Sequence, residues 1–167
     1  APHVIVYMFA YALFGAAALM AAYLLVKAHR TTTALLANGE DDKESVSPSS
    51  EVTLSPTATP ISKSKEFDII DNMVYVGWAF LTIGMLFGAL WAKDAWGHYW
   101  AWDPKETWAA VTWFAYLVYM HYRLSPGHSR KLSLWILIGS FLLLQMCWWG
   151  INYLPSAQGT SIHTYNS

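Results

Sequence analysis

Charge is scarce in this sequence. Asp, Glu, Lys and Arg make up 13% of 167 residues and nearly cancel, leaving a net charge of -1. That balance excludes a basic nucleic-acid binder and a highly charged disordered chain. Cysteine is scarcer still: Cys147 stands alone inside an apolar run, so neither an internal disulfide nor a Cys-x-x-Cys redox pair can form. Ala1, Pro2 and His3 lead directly into an apolar stretch, with no basic n-region or cleavage site. This start predicts no signal peptide and a chain that is a fragment or a processed piece. No internal repeat, nucleophile triad or carboxylate pair stands out. What the sequence holds instead is apolar surface, with 55% hydrophobic and 16% aromatic residues gathered into runs that a soluble domain of this size could not bury.

Four of these runs reach the length of roughly 20 residues that a helix needs to cross a ~30 Å hydrocarbon core. They lie at 4–26, 73–92, 104–122 and 132–154, and they predict an all-α, polytopic membrane protein with four transmembrane helices and an external tryptophan-rich loop. The first run carries Gly15 with Ala16, Ala17 and Ala18, and the second carries Gly77, Gly84 and Gly88. Gly84 and Gly88 form a G-x-x-x-G step of the kind that lets helices approach closely in lipid. The third run opens with Asp103, Pro104, Lys105 and Glu106, which predicts an N-cap, a proline at N1 and a capping box closed by Glu106.

Residues 28–66 are rich in Ser, Thr and Pro and hold an acidic patch of Glu40, Asp41, Asp42 and Glu44. Bulky apolar residues are too few there to offset the entropy of folding, which predicts a flexible loop. Basic residues near the membrane ends set the orientation. Lys27, Arg30, Lys43, Lys63, Lys65, Arg123, Arg130 and Lys131 fall on one side, and Lys93 and Lys105 on the other. The predicted organisation is therefore helix 1 with an external His (1–27), a cytoplasmic loop (28–66), helix 2 (67–92) and an external segment (93–109). Helix 3 (104–122), a second cytoplasmic loop (123–131), helix 4 (132–154) and an external tail (155–167) follow. His3, His98 and His163 then lie outside, and His29, His121 and His128 inside.

The segment 91–113 contains Trp91, Trp96, Trp100, Trp102, Trp108 and Trp113. An interfacial aromatic belt accounts for two or three of them. It accounts poorly for six, interleaved as they are with Gly97, His98, Asp103, Lys105 and Glu106. Trp96 and Trp100 share a face if the turn is helical, and Trp100 and Trp102 share one if it is extended. Either arrangement predicts an indole platform for a broad, flat, apolar ligand with an anionic rim.

The string Trp96-Gly97-His98-Tyr99-Trp100-Ala101-Trp102-Asp103-Pro104-Lys105-Glu106-Thr107-Trp108-Ala109 resembles the tryptophan-rich "WWD" signature of the heme-handling membrane proteins of cytochrome c biogenesis. It is closer to the CcsA (ResC) branch, the system II cytochrome c synthase, than to the system I relatives CcmC and CcmF. The likeness extends into the preceding helix through Leu81-Thr82-Ile83-Gly84 and Gly88-Ala89-Leu90-Trp91-Ala92, and covers most of the chain outside the first loop. The resemblance implies heme b as a bound substrate, held as reduced iron at the outer face of the bacterial cytoplasmic membrane. Two external histidines, matched here by His3 and His163, would be the axial ligands. Trp96, Gly97, Trp100, Trp102, Asp103, Lys105, Glu106 and Trp108 would form the cofactor-binding face. An apocytochrome c with a Cys-x-x-Cys-His motif would supply both thiols, so no catalytic residue is expected in this chain. A CcsB-type (ResB-type) membrane partner, fused or separate, would complete the cytochrome c synthase, or heme lyase, together with further helices carrying intramembrane histidines.

One departure concerns His163. Family members tend to approach the second histidine through a compact Gly-rich segment, whereas this chain runs through Leu154-Pro155-Ser156-Ala157-Gln158-Gly159-Thr160-Ser161. His98 is a rival ligand in a slot that varies in the family pattern, and His121 and His128 read as solvated or lipid-facing. Asp71 matches a family position but reads equally well as a helix-start acid, and capping alone explains Asp103. Two other classes stay open. A transmembrane b-type cytochrome would place histidine pairs within helices. A non-catalytic membrane scaffold would need helices and a belt but no ordered signature.

Overall fold

In the computed structural model the described backbone covers residues 2–41 and 60–149, and the described side chains cover 3–34 and 65–149. Within that range the chain forms α1 (Pro2–Asp41), α2 (Pro60–Trp96), α3 (Pro104–Leu124) and α4 (Arg130–Trp148), and no strand. Three stretches are long and apolar enough to cross a membrane: His3–Ala34, Lys65–Trp96 and Arg130–Trp148. α3 is 21 residues long, but Glu106 in its first turn and His121 and Arg123 in its last make it more polar. It is the expected crossing that falls outside those three.

Helix extends further than the loop reading of 28–66 predicts, since α1 continues to Asp41 and α2 begins at Pro60. Thr31, Thr32 and Thr33 show the physical reason. Their hydroxyls donate to the carbonyls of Lys27, Ala28 and His29 at 2.9, 3.0 and 3.1 Å, so residues that favour loops are satisfied inside the helix. The part of the acidic patch at Asp42 and Glu44 lies outside the described residues.

α1 packs along α2 and α3 along α4, with α4 also closing on α1. The glycines of α2 act as seats for aromatic rings. A Cβ on Gly77 would stand 2.9 Å from the Phe14 ring, and one on Gly84 2.9 Å from the Tyr7 ring. Gly88 lies beneath the Tyr7 hydroxyl and the edge of His3, at 3.6 and 4.0 Å from such a Cβ. The G-x-x-x-G step thus receives side chains of α1, and this close fit holds the pair together where lipid offers no hydrophobic drive. Phe14 carries the packing onward by stacking on Tyr116 of α3, with ring centroids 3.7 Å apart. The buried hydroxyls of Thr112 and Ser140 close within their own helices, donating to the Trp108 and Ile136 carbonyls, each at 2.8 Å.

These contacts place the helix ends in two groups. At one end the rings of His3 and Trp91 meet at 5.6 Å, the Cys147 thiol lies 3.7 Å from the Lys105 carbonyl, and the Tyr11 hydroxyl donates to Gln145. At the other end Lys27 pairs with Glu66 at 3.6 Å and Arg123 pairs with Asp71 at 2.6 Å. The N-terminus of α1, the C-terminus of α2, the N-terminus of α3 and the C-terminus of α4 therefore share one end.

Candidate functional site

The tryptophan-rich turn is built by two helix ends. α2 stops at Trp96 because Gly97 takes a left-handed conformation, with φ +85°. The Gly97 N–H still donates to the Lys93 carbonyl at 2.9 Å, and the Lys93 ammonium donates to the Gly97 carbonyl at 2.8 Å. That ammonium also lies 5.4 Å from the centre of the Tyr99 ring.

α3 starts with the capping box that the sequence predicts. The Asp103 carboxylate accepts from the Lys105 N–H at 2.9 Å and from the Glu106 backbone, with Pro104 beginning the first turn. In return Glu106 Oε2 accepts from the Asp103 N–H at 3.2 Å, and it also accepts from the Ala101 N–H at 2.8 Å. Asp103 is buried at 5% exposure, so its carboxylate serves the turn from inside.

The six tryptophans separate into distinct environments. Trp91 and Trp96 meet edge to face at 4.9 Å, with His3 against Trp91. Trp100 and Trp102 meet edge to face at 5.9 Å, so of the two geometries the turn adopts the one in which these two share a surface. Trp108 is half-buried on the first turns of α3. Trp113 belongs to the bundle interior: its ring lies 4.8 Å from Trp78, and its N–H donates to Thr82 Oγ1 at 2.9 Å. Its place in the tryptophan string concealed this packing role.

His3 is half-buried and tilted against Trp91, and His98 is exposed on the turn. His163 lies outside the described residues. Among the described residues no group of three or more His, Cys, Asp or Glu is arranged to hold a bare metal ion. A single imidazole is what a porphyrin-bound iron takes on each axial face, so His3 fits that chemistry. The Trp100 indole N–H is buried and meets no acceptor among the described residues, which leaves a donor for a ligand carbonyl or carboxylate.

At the opposite end sequence reasoning missed a cluster. Asp71 is eleven residues beyond Pro60, well inside α2, and is not a helix-start acid. Arg123 donates to it through Nε at 3.0 Å and Nη2 at 2.6 Å, and Tyr119 donates at 2.7 Å. His128 is not simply solvated, because its Nε2 lies 2.6 Å from Arg123 Nη1 and its Nδ1 lies 3.0 Å from the Ser125 carbonyl. The two acidic and basic partners stand 52 positions apart in the chain, and no local pattern joins them.

The sequence profile of a family described as cytochrome C assembly protein matches residues 1–157. The cytochrome c biogenesis protein CcsA of Synechococcus sp. (strain RCC307) is 38% identical over 109 residues, covering 65% of this chain and 34% of that protein. The CcsA protein of Prochlorococcus marinus (strain MIT 9312) is 38% identical over 115 residues, 67% of this chain and 36% of that protein. That of Mesostigma viride is 43% identical over 102 residues, 58% of this chain and 32% of that protein. The chain thus spans about a third of the length of these curated relatives. No solved structure matches it.

Proposed function

This chain belongs to the cytochrome c assembly protein family, and from that premise we propose that its tryptophan-rich end binds heme as a substrate and presents it for attachment to apocytochrome c. The observation that carries the reading is the seating of α1 on Gly84 and Gly88, which brings His3 against Trp91 beside the turn 97–103. His3 supplies one axial imidazole and His163 the other. Trp96, Trp100, Trp102 and Trp108 supply the apolar face, and Gly97 and Lys105 border it. Bis-imidazole ligation closes both axial positions of the iron and limits its reaction with oxygen.

The covalent step asks little of this chain. Each apocytochrome thiol adds across a heme vinyl group: a C–S bond forms, the vinyl double bond is consumed, and the thiol proton ends on the neighbouring carbon. No electron is gained or lost overall, and the cysteines come from the apocytochrome's Cys-x-x-Cys-His motif. The role left to this chain is binding and orientation, within a complete synthase that includes a CcsB-type partner.

The membrane arrangement follows the same reading. α3 crosses as the fourth span in company with the other three, and the end carrying His3 and the signature faces the outside of the bacterial cytoplasmic membrane. Lys93 and Lys105 mark that end, whereas Lys27, Arg123, Arg130 and Lys131 mark the other.

The test is spectroscopic, on the complete protein purified in detergent. A Soret band of six-coordinate heme is expected in the native protein. His3→Ala and His163→Ala should each give five-coordinate or readily oxidised heme, with exogenous imidazole restoring spectrum and attachment in part. Unchanged six-coordinate spectra in both variants would overturn the ligand assignment in favour of His98.

A further inference from the structure

We infer that Glu106 is a positioning residue that sets the Trp102 indole to stack on the substrate, an inference that rests on the heme-binding reading above. Trp102 has φ +56° and is the one non-glycine residue with positive φ among the described residues. A bulky side chain resists this left-handed conformation, so neighbouring groups must hold it. Glu106 does so from both sides. One carboxylate oxygen, Oε2, accepts from the N–H of Ala101 at 2.8 Å and from that of Asp103 at 3.2 Å, the two residues that flank Trp102. The Thr107 hydroxyl adds a longer contact to the Trp102 carbonyl at 3.4 Å.

A capping box accounts for the bond to Asp103. It does not account for the shorter bond to Ala101, which reaches past the N-cap and adds nothing to the helix start. What the second bond does is close the backbone around Trp102. The consequence is visible in the side chains: Asp103 is turned inward at 5% exposure, while Trp102 is 74% exposed with its ring edge to face with Trp100. Through these two bonds Glu106 acts on the backbone that carries the indole.

The experiment combines a double-mutant cycle with a ligand-free probe, in the complete protein stripped of heme. Hemin is titrated into Trp102→Ala, Glu106→Ala, their double variant, Glu106→Gln and Glu106→Asp. Trp102→Ala and Glu106→Ala should each weaken hemin binding about tenfold, the upper range for loss of one aromatic contact. The double variant should be no weaker than Trp102→Ala, and Glu106→Gln, which keeps an acceptor oxygen at the same reach, should bind as the native protein does. Glu106→Asp keeps the charge in the first turn but is one methylene shorter, so it should lose affinity as Glu106→Ala does even if the latter folds poorly. In 5-fluorotryptophan-labelled protein without hemin, the Trp102 resonance, assigned by its loss in Trp102→Phe, should shift or broaden in Glu106→Asp. Additive losses in the cycle, or an unmoved resonance, would overturn the positioning role. Native hemin affinity in Trp102→Ala would overturn the heme-site reading at this residue and the substrate role with it, whatever the fluorine spectrum shows of Glu106.

Discussion

Asp103 shows how far one residue's duties can be separated by chemistry. Its side chain accepts from the Lys105 N–H at 2.9 Å from a buried position, and Asn is about as good an N-cap as Asp. Asp103→Asn should therefore leave stability nearly unchanged, and Asp103→Ala should cost about 1 kcal/mol, both readable from thermal unfolding in detergent. If heme retention falls in the Asn variant at native stability, the charge itself matters to the site. Capping was legible in the sequence because Asp, Pro and Glu at fixed offsets form a local code. The left-handed Trp102 was not, because no tryptophan propensity announces positive φ; only the two bonds from Glu106 show why the chain tolerates it.

At the scale of elements, two joints hold the helices together, one beside the site and one at the opposite end. The first is the seat of Tyr7 on Gly84, where an added Cβ would stand 2.9 Å from two ring carbons. Gly84→Val should push α1 off α2, draw His3 away from Trp91 and lower heme occupancy. A partner change of Tyr7→Ala should recover part of it, and heme-to-protein absorbance ratios would show whether it does. The second joint is Asp71 with Arg123, whose side chains are 16% and 11% exposed. Asp71→Ala leaves a poorly solvated guanidinium without its carboxylate and should cost about 3 kcal/mol, whereas Asp71→Leu with Arg123→Met should regain most of that stability. A native unfolding midpoint in Asp71→Ala would show that the pair contributes little. G-x-x-x-G could be read from the sequence as a close-approach motif, but its occupant could not, since nothing local states which ring from α1 it will receive.

At the scale of the whole molecule, orientation is read by labelling the two ends of α3. Single cysteines at Ala101 and Ser125, in a Cys147→Ser background, occupy opposite ends of α3. In intact cells an impermeant thiol reagent should label the cysteine at 101 and spare the one at 125. Labelling at 125 alone would invert the orientation and remove the signature from the outer face.

The sequence by itself determined that the chain is helical and apolar, where α3 begins, and that basic residues collect toward one set of helix ends. These are properties of composition, period and short-range capping, which act within a few residues. Tertiary structure alone decided that His3 meets Trp91, that Trp113 leaves the tryptophan string for Trp78 and Thr82, and that Asp71 takes Arg123 across 52 positions. Each depends on which helix faces meet, a choice made by the fit of rings onto glycines and of charges onto partners along the full length of the bundle.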